Sequence, residues 1–519
     1  MVQLSKYLPI VNWSRTYRGS YFWNDLVAGS TLAAIAIPQC MAYASLAYLP
    51  QERGLYSAII ASVVFLVFGS NPSMSVGPFA VVSLMIGNAA LSNAFWLEGL
   101  IPPLVTSMDD DIWLLHPYLL PLTDLMTLMV GCLIAILLIT KVGQYLKVLL
   151  PNELISGFTA AAAFSILTSQ VKGILKLKLN PISGSCVLLK SWREISSKLL
   201  DTHMPSLAIS LSTAAIIIIL GKVEYYGTKL GSTDGIHPEQ SILKLPKTLI
   251  AMVFMTVISA VFNLHQTFDI DVIGIIPTNI PDIHNPIKLL IELPSAIRHT
   301  LIAKVSFDIM AITLVLYVTN LSIIQTFPSL EGNPSEQTPL LTPERDATLI
   351  DFDQDDNRSE EDEEMMKRDS SDVEFHELLS LSLSNILCSC FSGYVCCGSL
   401  SRSALLGNQT QAKTTMANFI CSLLIVITIC LLTSFIYHVP IPTLSMVIVF
   451  AIKNTAMKVM EFFRLLKIYH IERKETALEN VLIWTVTFLG VIILDPSVGI
   501  LVGMSFCLLW RSFSICGTE

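Results

Sequence analysis

Two short stretches of this chain hold residues suited to binding a charged guest inside an apolar environment: Ser75-Val76-Gly77-Pro78-Phe79-Ala80 and Cys397-Gly398-Ser399-Leu400-Ser401-Arg402. Each is introduced by Gly, Pro or Ser, and each opens an apolar run that is short beside its neighbours. A helix that starts inside a membrane presents unpaired backbone N-H groups and the positive end of its dipole to whatever binds there. The natural guest is an anion. Ser401 adds a hydroxyl and a backbone N-H that replace water around such a guest. Its plainer reading is an N-cap, and capping and anion binding can coexist at one helix start. Arg402 lies in an otherwise uncharged stretch, where a charge costs ~2.5 to 3.5 kcal/mol on translocon scales. A charge retained at that cost faces a cavity or a partner; the structural alternative is a pair with a helix C-terminus.

The elements that position these residues are legible in the composition. The 519 residues are 53% hydrophobic and 14% charged, with a mean hydropathy of +0.63, whereas soluble domains carry about 25% charged residues. Apolar runs recur near 26–49, 54–69, 78–91, 119–140, 153–172, 205–221, 246–263 and 305–328. A second series follows near 376–392, 401–410, 415–437, 440–457, 478–494 and 496–510. Most approach the length that crosses a hydrocarbon core as a helix. Helices satisfy their own backbone hydrogen bonds in lipid, so an all-α membrane protein is expected. The two interrupted runs stand third in the first set of seven and third in a second set that opens with the eighth run. Paired interruptions at matching places mark an inverted-repeat transporter with a site near the bilayer midplane.

Charge placement orients the chain. The net charge of -9 comes from one stretch, Glu331 to Glu377, with 17 acids against 4 bases; the acidic balance therefore says nothing about the substrate. Met1 to Asn24 lacks the apolar core and cleavage site of a signal peptide, so an uncleaved cytosolic N-terminus is expected. Lys141 and Lys147, the segment Lys222 to Lys247, and the basic run Lys453 to Lys474 all fall on the N-terminal side of the membrane. The loop Lys172 to Lys198 breaks that rule. Pro328 to Asp372 is acidic and poor in large apolar residues, so it reads as disordered and cytosolic. Within it, Glu336-Gln337-Thr338-Pro339-Leu340-Leu341 has the form of an acidic dileucine sorting signal, with Glu336, Leu340 and Leu341 read by adaptor proteins on endosomal and lysosomal cargo. The eleven cysteines lie mostly inside apolar runs, as small hydrophobes. The cluster Cys388, Cys390, Cys396 and Cys397 has irregular spacing, and core packing or lipidation outweighs a metal site there. No metal, cofactor or nucleic-acid partner is expected.

Ordered motifs then point to a family. Asp25-Leu26-Val27-Ala28-Gly29, Ala36-Ile37-Pro38-Gln39-Cys40-Met41-Ala42-Tyr43-Ala44, Gly54-Leu55-Tyr56-Ser57 and Ser75 to Val81 resemble the signatures of the SulP anion permeases, solute carrier family 26. Ile155-Ser156-Gly157-Phe158-Thr159, Thr168-Ser169-Gln170, Gly398 to Ser403 and Trp484-Thr485-Val486-Thr487-Phe488 continue the resemblance in the same order over nearly the whole chain. It implies fourteen membrane segments in two inverted repeats of seven, a mobile core domain, a comparatively fixed gate domain, and half-helices at segments three and ten. It also implies an anion held between those half-helices, with Phe79 and Ala80 heading one, Leu400, Ser401 and Arg402 heading the other, and Gln39 and Tyr43 lining the site from segment one. Gln39 can donate an amide hydrogen; Phe79 and Tyr43 are assigned by motif position alone, packing being the alternative.

Two departures qualify what is carried over. Cation-coupled relatives place an acid near the position of Thr319, and no acid occurs between Asp308 and Glu331. Anion exchange or uncoupled anion flux is therefore expected over cation symport, with Glu153 as the alternative acid. Family members continue into a cytosolic STAS domain, and this chain stops at Glu519; the reading is a membrane domain only, and a homodimer stays open. The leading function is a secondary transporter exchanging small anions such as sulfate, chloride, bicarbonate or oxalate by elevator-like alternating access. The alternative is an anion channel or chloride-modulated motor on the same scaffold. A membrane enzyme is disfavoured because no nucleophile, base and orienter stand together. The expected organisation is a cytosolic N-terminus (1–24), segments one to eight (25–327), an acidic insertion (328–375), segments nine to fourteen (376–511) and a tail (512–519). The location is the plasma membrane or an endosomal or lysosomal membrane, with small anions, membrane lipid and an adaptor as partners.

Overall fold

Proline sets where several helices begin, because it has no N-H to donate and its fixed φ suits a first turn. Pro50, Pro151, Pro294 and Pro440 each stand at the N-cap of a long apolar helix, and Pro496 opens another. The structure is a computed structural model that describes residues 8–100, 116–140, 151–177, 187–231, 247–274, 283–327, 360–410, 412–472, 475–494 and 496–516. Among the described residues each of the fourteen expected segments has one main helix: α1 (Gly19–Leu46), α2 (Gln51–Phe68), α3 (Ala80–Leu100), α4 (Leu119–Thr140), α5 (Asn152–Leu175), α6 (Met204–Gly231), α7 (Lys247–Val261), α8 (Ser295–Thr326), α9 (Glu360–Cys390), α10 (Leu400–Ala404), α11 (Met416–Leu431), α12 (Ile441–Ala456), α13 (Glu475–Ile493) and α14 (Pro496–Cys516). A π-helical turn, Leu405–Thr410, continues α10. Among the described residues seven helices are long and apolar enough to cross a membrane by themselves, and five more are shorter apolar helices. The protein is an all-α, multi-pass membrane protein.

The helices pack in two groups. In one, α9 lies against α4 and α2, α11 against α1 and α2, and α8 against α3 and α4. In the other, α13 lies against α14 and α5, and α12 against α5 and α6. The seam between them runs through α1 with α12, α8 with α14, and α3 with α5. These are the core and gate groups of the fold. Lipid supplies little apolar driving force between helices, so close backbone approach at small residues carries much of the attraction. Gly157 packs on the Trp484 backbone in the gate. In the core, a β-carbon added at Gly54 of α2 would sit 2.0 Å from the Cys40 carbonyl oxygen of α1. Gly54→Ala is expected to destabilise the protein by about 2–3 kcal/mol through overpacking. Thermal melting of the detergent-solubilised variant measures this; an unchanged midpoint would show that α1 and α2 part without cost.

Several boundaries differ from the sequence reading. α1 starts at Gly19 and a short helix occupies Pro9–Thr16, within the stretch expected to be a plain N-terminal segment. α9 starts at Glu360, so residues 360–375, expected to be disordered, are helical. The reason is local: Glu, Met, Lys and Arg favour helix, and acids in a first turn complement the dipole. α14 likewise runs to Cys516, past the expected boundary at 511. Residues 328–359, with the dileucine-like Glu336, Leu340 and Leu341, lie outside the described residues. Cys388 and Cys396 pack with sulfurs 3.6 Å apart, both donating to the Ser57 carbonyl oxygen (3.8 and 3.5 Å).

Candidate functional site

The two interrupted stretches meet. β1 (Val76–Gly77) pairs antiparallel with β2 (Cys397–Gly398), Val76 opposite Gly398 and Gly77 opposite Cys397. The Ser399 N-H extends the ladder to the Ser75 carbonyl oxygen at 3.0 Å. Extended chain at this depth needs partners for its backbone groups, and a ribbon of two strands supplies them. α3 leaves one end of the ribbon and α10 the other, so both helices start against it. Ser399, extended, is the N-cap of α10 and no side chain caps that helix. Phe79 plays the same part for α3, its carbonyl oxygen accepting from the Ser83 N-H at 2.8 Å. The first-turn N-H groups of both helices have no intrahelical partner.

The lead-in loops are held by buried polar groups. Glu377 of α9, fully buried, accepts from the Ser70 N-H (3.0 Å), the Ser70 hydroxyl (3.1 Å) and the Asn71 N-H (2.8 Å) before β1. Asn418 of α11 donates to the Met74 carbonyl oxygen at 2.9 Å. Before β2, the Tyr394 N-H donates to the Ser57 hydroxyl (2.7 Å) and the Cys396 N-H to Asn385 Oδ1 (2.9 Å). Asp25 of α1, also fully buried, accepts from the Lys413 N-H (2.9 Å), the Thr414 N-H (3.2 Å) and the Thr414 hydroxyl (2.6 Å) beyond α10. On the opposite side, Arg53 of α2 pairs with Asp124 of α4 at 2.7 Å, and His284 reaches the same carboxylate at 2.9 Å.

The charge at the centre is that of Arg402, 2% exposed. Its Nη2 donates to the Pro78 carbonyl oxygen at 3.0 Å and its Nη1 lies 3.8 Å from Cys40 Sγ of α1. A β-carbon at Gly77 would come within 3.1 Å of the guanidinium, so Gly77 makes room for it. Among the described residues no carboxylate pairs with Arg402. The partner foreseen as an alternative, a helix C-terminus, is replaced by the turn that precedes α3.

The sequence-assigned residues sort by exposure. Leu400 and Ser401 are exposed, Phe79 is half-buried, and Ala80 is buried with Arg402 behind them. Ser401 Oγ lies 3.3 Å from Ser399 Oγ. From α1, Gln39 and Tyr43 are buried one turn apart, and Tyr43 is within reach of the Arg402 charge. Pro38 interrupts the α1 ladder beside them. Gln39 Oε1 is buried without a hydrogen-bond partner, and turning the amide over would place its donor there instead. Thr319 of α8 stands within hydrogen-bonding reach of the Cys397 thiol of β2.

Sequence reasoning missed Asn320, its neighbour. This side chain is fully buried beside Gly398, where a β-carbon would approach Asn320 Oδ1 to 3.0 Å, and neither amide atom has a partner among the described residues. An amide inside an apolar helix was the available signal. Between α8 and the gate helices α5 and α14, a cleft of about 10 Å³ is lined by Ile155, Phe158, Val318, Thr319 and Ile500. That is room for roughly one water.

Comparison with known proteins follows this architecture. The family model described as the sulfate permease family matches residues 22–335 and 364–477. Prestin of Danio rerio is 25% identical over 514 residues, covering 97% of this chain and 59% of its own length. Sulfate transporter 4.1, chloroplastic, of Arabidopsis thaliana is 26% identical over 501 residues, covering 96% and 60%. The chain thus spans about 60% of the length of these curated relatives. The murine solute carrier 26 family member A9 anion transporter, in its inward-facing state, aligns with a TM-score of 0.77 at 22% identity, over 99% of this chain and 72% of that one. The transmembrane domain of the cyanobacterial bicarbonate transporter BicA aligns with a TM-score of 0.61 at 16% identity, over 95% and 98%. These two likenesses concern the fold. With the family model covering most of the sequence and the fold shared, this chain is a member of the sulfate permease family, a family of membrane transporters.

Proposed function

We propose that the chain is a secondary transporter that exchanges small anions such as sulfate, chloride, bicarbonate or oxalate. The observation that carries this reading is Arg402, a buried guanidinium that no carboxylate neutralises among the described residues, set between two helix starts. An isolated charge in a low-dielectric interior is costly, and a bound anion offsets the cost. Helix-terminal N-H groups and the exposed Ser401 hydroxyl supply the directional contacts, with Gln39, Tyr43, Phe79, Ala80 and Leu400 shaping the space. A site with this charge favours the anion itself as the coupled species. Thr319, which occupies the position of an acid in cation-coupled relatives, adds no negative charge.

Movement follows from the two groups of helices. Where α8 meets α5 and α14 the lining is mostly apolar, with Thr319 and Thr159 its polar members, and among the described residues no ion pair joins these helices, so the groups can slide without breaking one there. We place the chain in the plasma membrane or an endosomal or lysosomal membrane, on the strength of the dileucine-like Glu336, Leu340 and Leu341.

Proteoliposomes with defined internal anions test the reading. Uptake of labelled sulfate, chloride or oxalate is expected only when a counter-anion is inside, and Ser401→Ala is expected to weaken apparent affinity about 10- to 150-fold through one lost hydrogen bond to a charged guest. Sustained uptake with no internal counter-anion would indicate a channel. Unchanged flux in both Ser401→Ala and Arg402→Ala would remove these residues from the site.

A further inference from the structure

Two basic connections that lie far apart in the chain converge at one end of the gate. Lys222 near the end of α6, Lys247 at the start of α7 and Lys453 near the end of α12 line a single cavity of about 470 Å³. Ile217, Ile218 and Phe450 form its apolar wall. Lys247 meets the Glu224 carboxylate at 2.5 Å, off the angle of a good hydrogen bond, and its stem crosses Gly221, where a β-carbon would lie 3.9 Å from Nζ. Among the described residues Lys222 and Lys453 pair with no carboxylate. Among the described residues, three ammonium groups against one carboxylate give the cavity lining a net charge near +2.

Its depth is marked from two sides. α6 has only 22% of its apolar window buried, and its exposed Leu211, Ile218 and Ile219 form a strip running into the cavity from the membrane side. Immediately after α12, the helix Val459–Glu472 exposes Met460 and Phe463 alongside Arg464 and Lys467. Apolar and charged side chains that share one exposed helix face suit the boundary between acyl chains and headgroups. The cavity is therefore at headgroup level, on the side to which the Lys and Arg distribution assigns the cytosol.

We propose that the cavity between α6, α7 and α12 binds the phosphate-bearing headgroup of an anionic phospholipid of the cytosolic leaflet. A basic pocket between membrane helices supplies charge to the phosphate, and the exposed strip of α6 supplies a surface for the acyl chain. A soluble phosphate compound would use the lysines and leave that strip unused. The assignment stands on the gate and is independent of the transport reading.

Native mass spectrometry of the detergent-solubilised full chain, titrated with dioctanoyl phosphatidylinositol 4-phosphate, tests it. One retained lipid is expected, and Lys222→Ala/Lys453→Ala together should weaken it about 20- to 30-fold, at about 1 kcal/mol per lysine. Lys222→Arg/Lys453→Arg, which keeps both charges, should bind as the wild type does; this separates lost charge from misfolding. Equal binding of dioctanoyl phosphatidylcholine, no binding of the inositol lipid, or an unaffected double alanine variant would each overturn the proposal. Inositol 1,4-bisphosphate without acyl chains, binding as tightly as the lipid, would overturn the choice of a lipid over a soluble phosphate.

Discussion

Arg402→Gln is expected to abolish anion uptake in proteoliposomes while leaving the protein folded. Two unit charges several ångströms apart at an effective dielectric constant near 20 attract by on the order of 2–4 kcal/mol, which is about 30- to 1,000-fold in affinity. Glutamine keeps a donor that can reach the Pro78 carbonyl oxygen, so the polar contact to the α3 turn can survive while the charge does not. Arg402→Lys keeps the charge but loses the planar fork that spans Pro78 and Cys40, so it should retain part of the affinity. A second readout separates binding from folding. A ligand that binds only the native state raises the melting temperature with concentration. Wild-type protein should melt higher as sulfate or chloride is added at constant ionic strength, whereas Arg402→Gln should melt without that dependence. Its anion-free stability should equal or exceed that of the wild type, because an uncompensated buried charge has been removed. Retained uptake together with a retained anion-dependent melting temperature would take Arg402 out of the site.

Glu377→Ala is expected to be the most destabilising single change around the ribbon. One carboxylate oxygen accepts three hydrogen bonds from Ser70 and Asn71, and the residue is fully buried. Truncation leaves two backbone N-H groups and a hydroxyl without an acceptor, each costing about 1–3 kcal/mol when buried. The total loss is on the order of 3–5 kcal/mol, the range reached when a buried hydrogen-bond network is broken. The loop that loses its anchor leads directly into β1, so the start of α3 should shift with it. Anion affinity should fall even in the fraction that folds. Glu377→Gln retains one acceptor oxygen and should fall between the two. Size-exclusion chromatography after graded heating measures the stability. A Glu377→Ala midpoint equal to that of the wild type would show that water replaces the carboxylate at no cost, and that the loop is held elsewhere. Asp25 anchors the chain beyond α10 in the same manner, through Lys413 and Thr414. Its substitution should act on the other half-helix.

The helices were legible because their signals are local. Apolar runs, proline starts and the Gly77-Pro78 and Gly398-Ser399 interruptions each depend on a few neighbouring residues. The errors were local too: residues 360–375 were read as disordered from their charge, although the same residues are good helix formers continuous with α9. Asp25 was noticed only as part of a motif, and Glu377 only as one acid among many in an acidic stretch. Their roles depend on loops some 300 to 400 residues away. Asn320 was passed over for Thr319 because nothing in the sequence says which face of α8 meets β2.

By itself the sequence determined that this is a membrane protein of many helices, that two of them are interrupted at matching places, and which family its motifs resemble. Hydropathy and backbone restriction decide those properties over a few turns of chain. Only the tertiary structure decided that the interruptions pair as one ribbon in the register Val76 to Gly398, that the Arg402 guanidinium turns back onto Pro78, and that Lys222, Lys247 and Lys453 share a cavity. Each of these joins residues distant in the chain. Which distant groups meet is settled by how the helices pack, and a list of residue types does not contain that information.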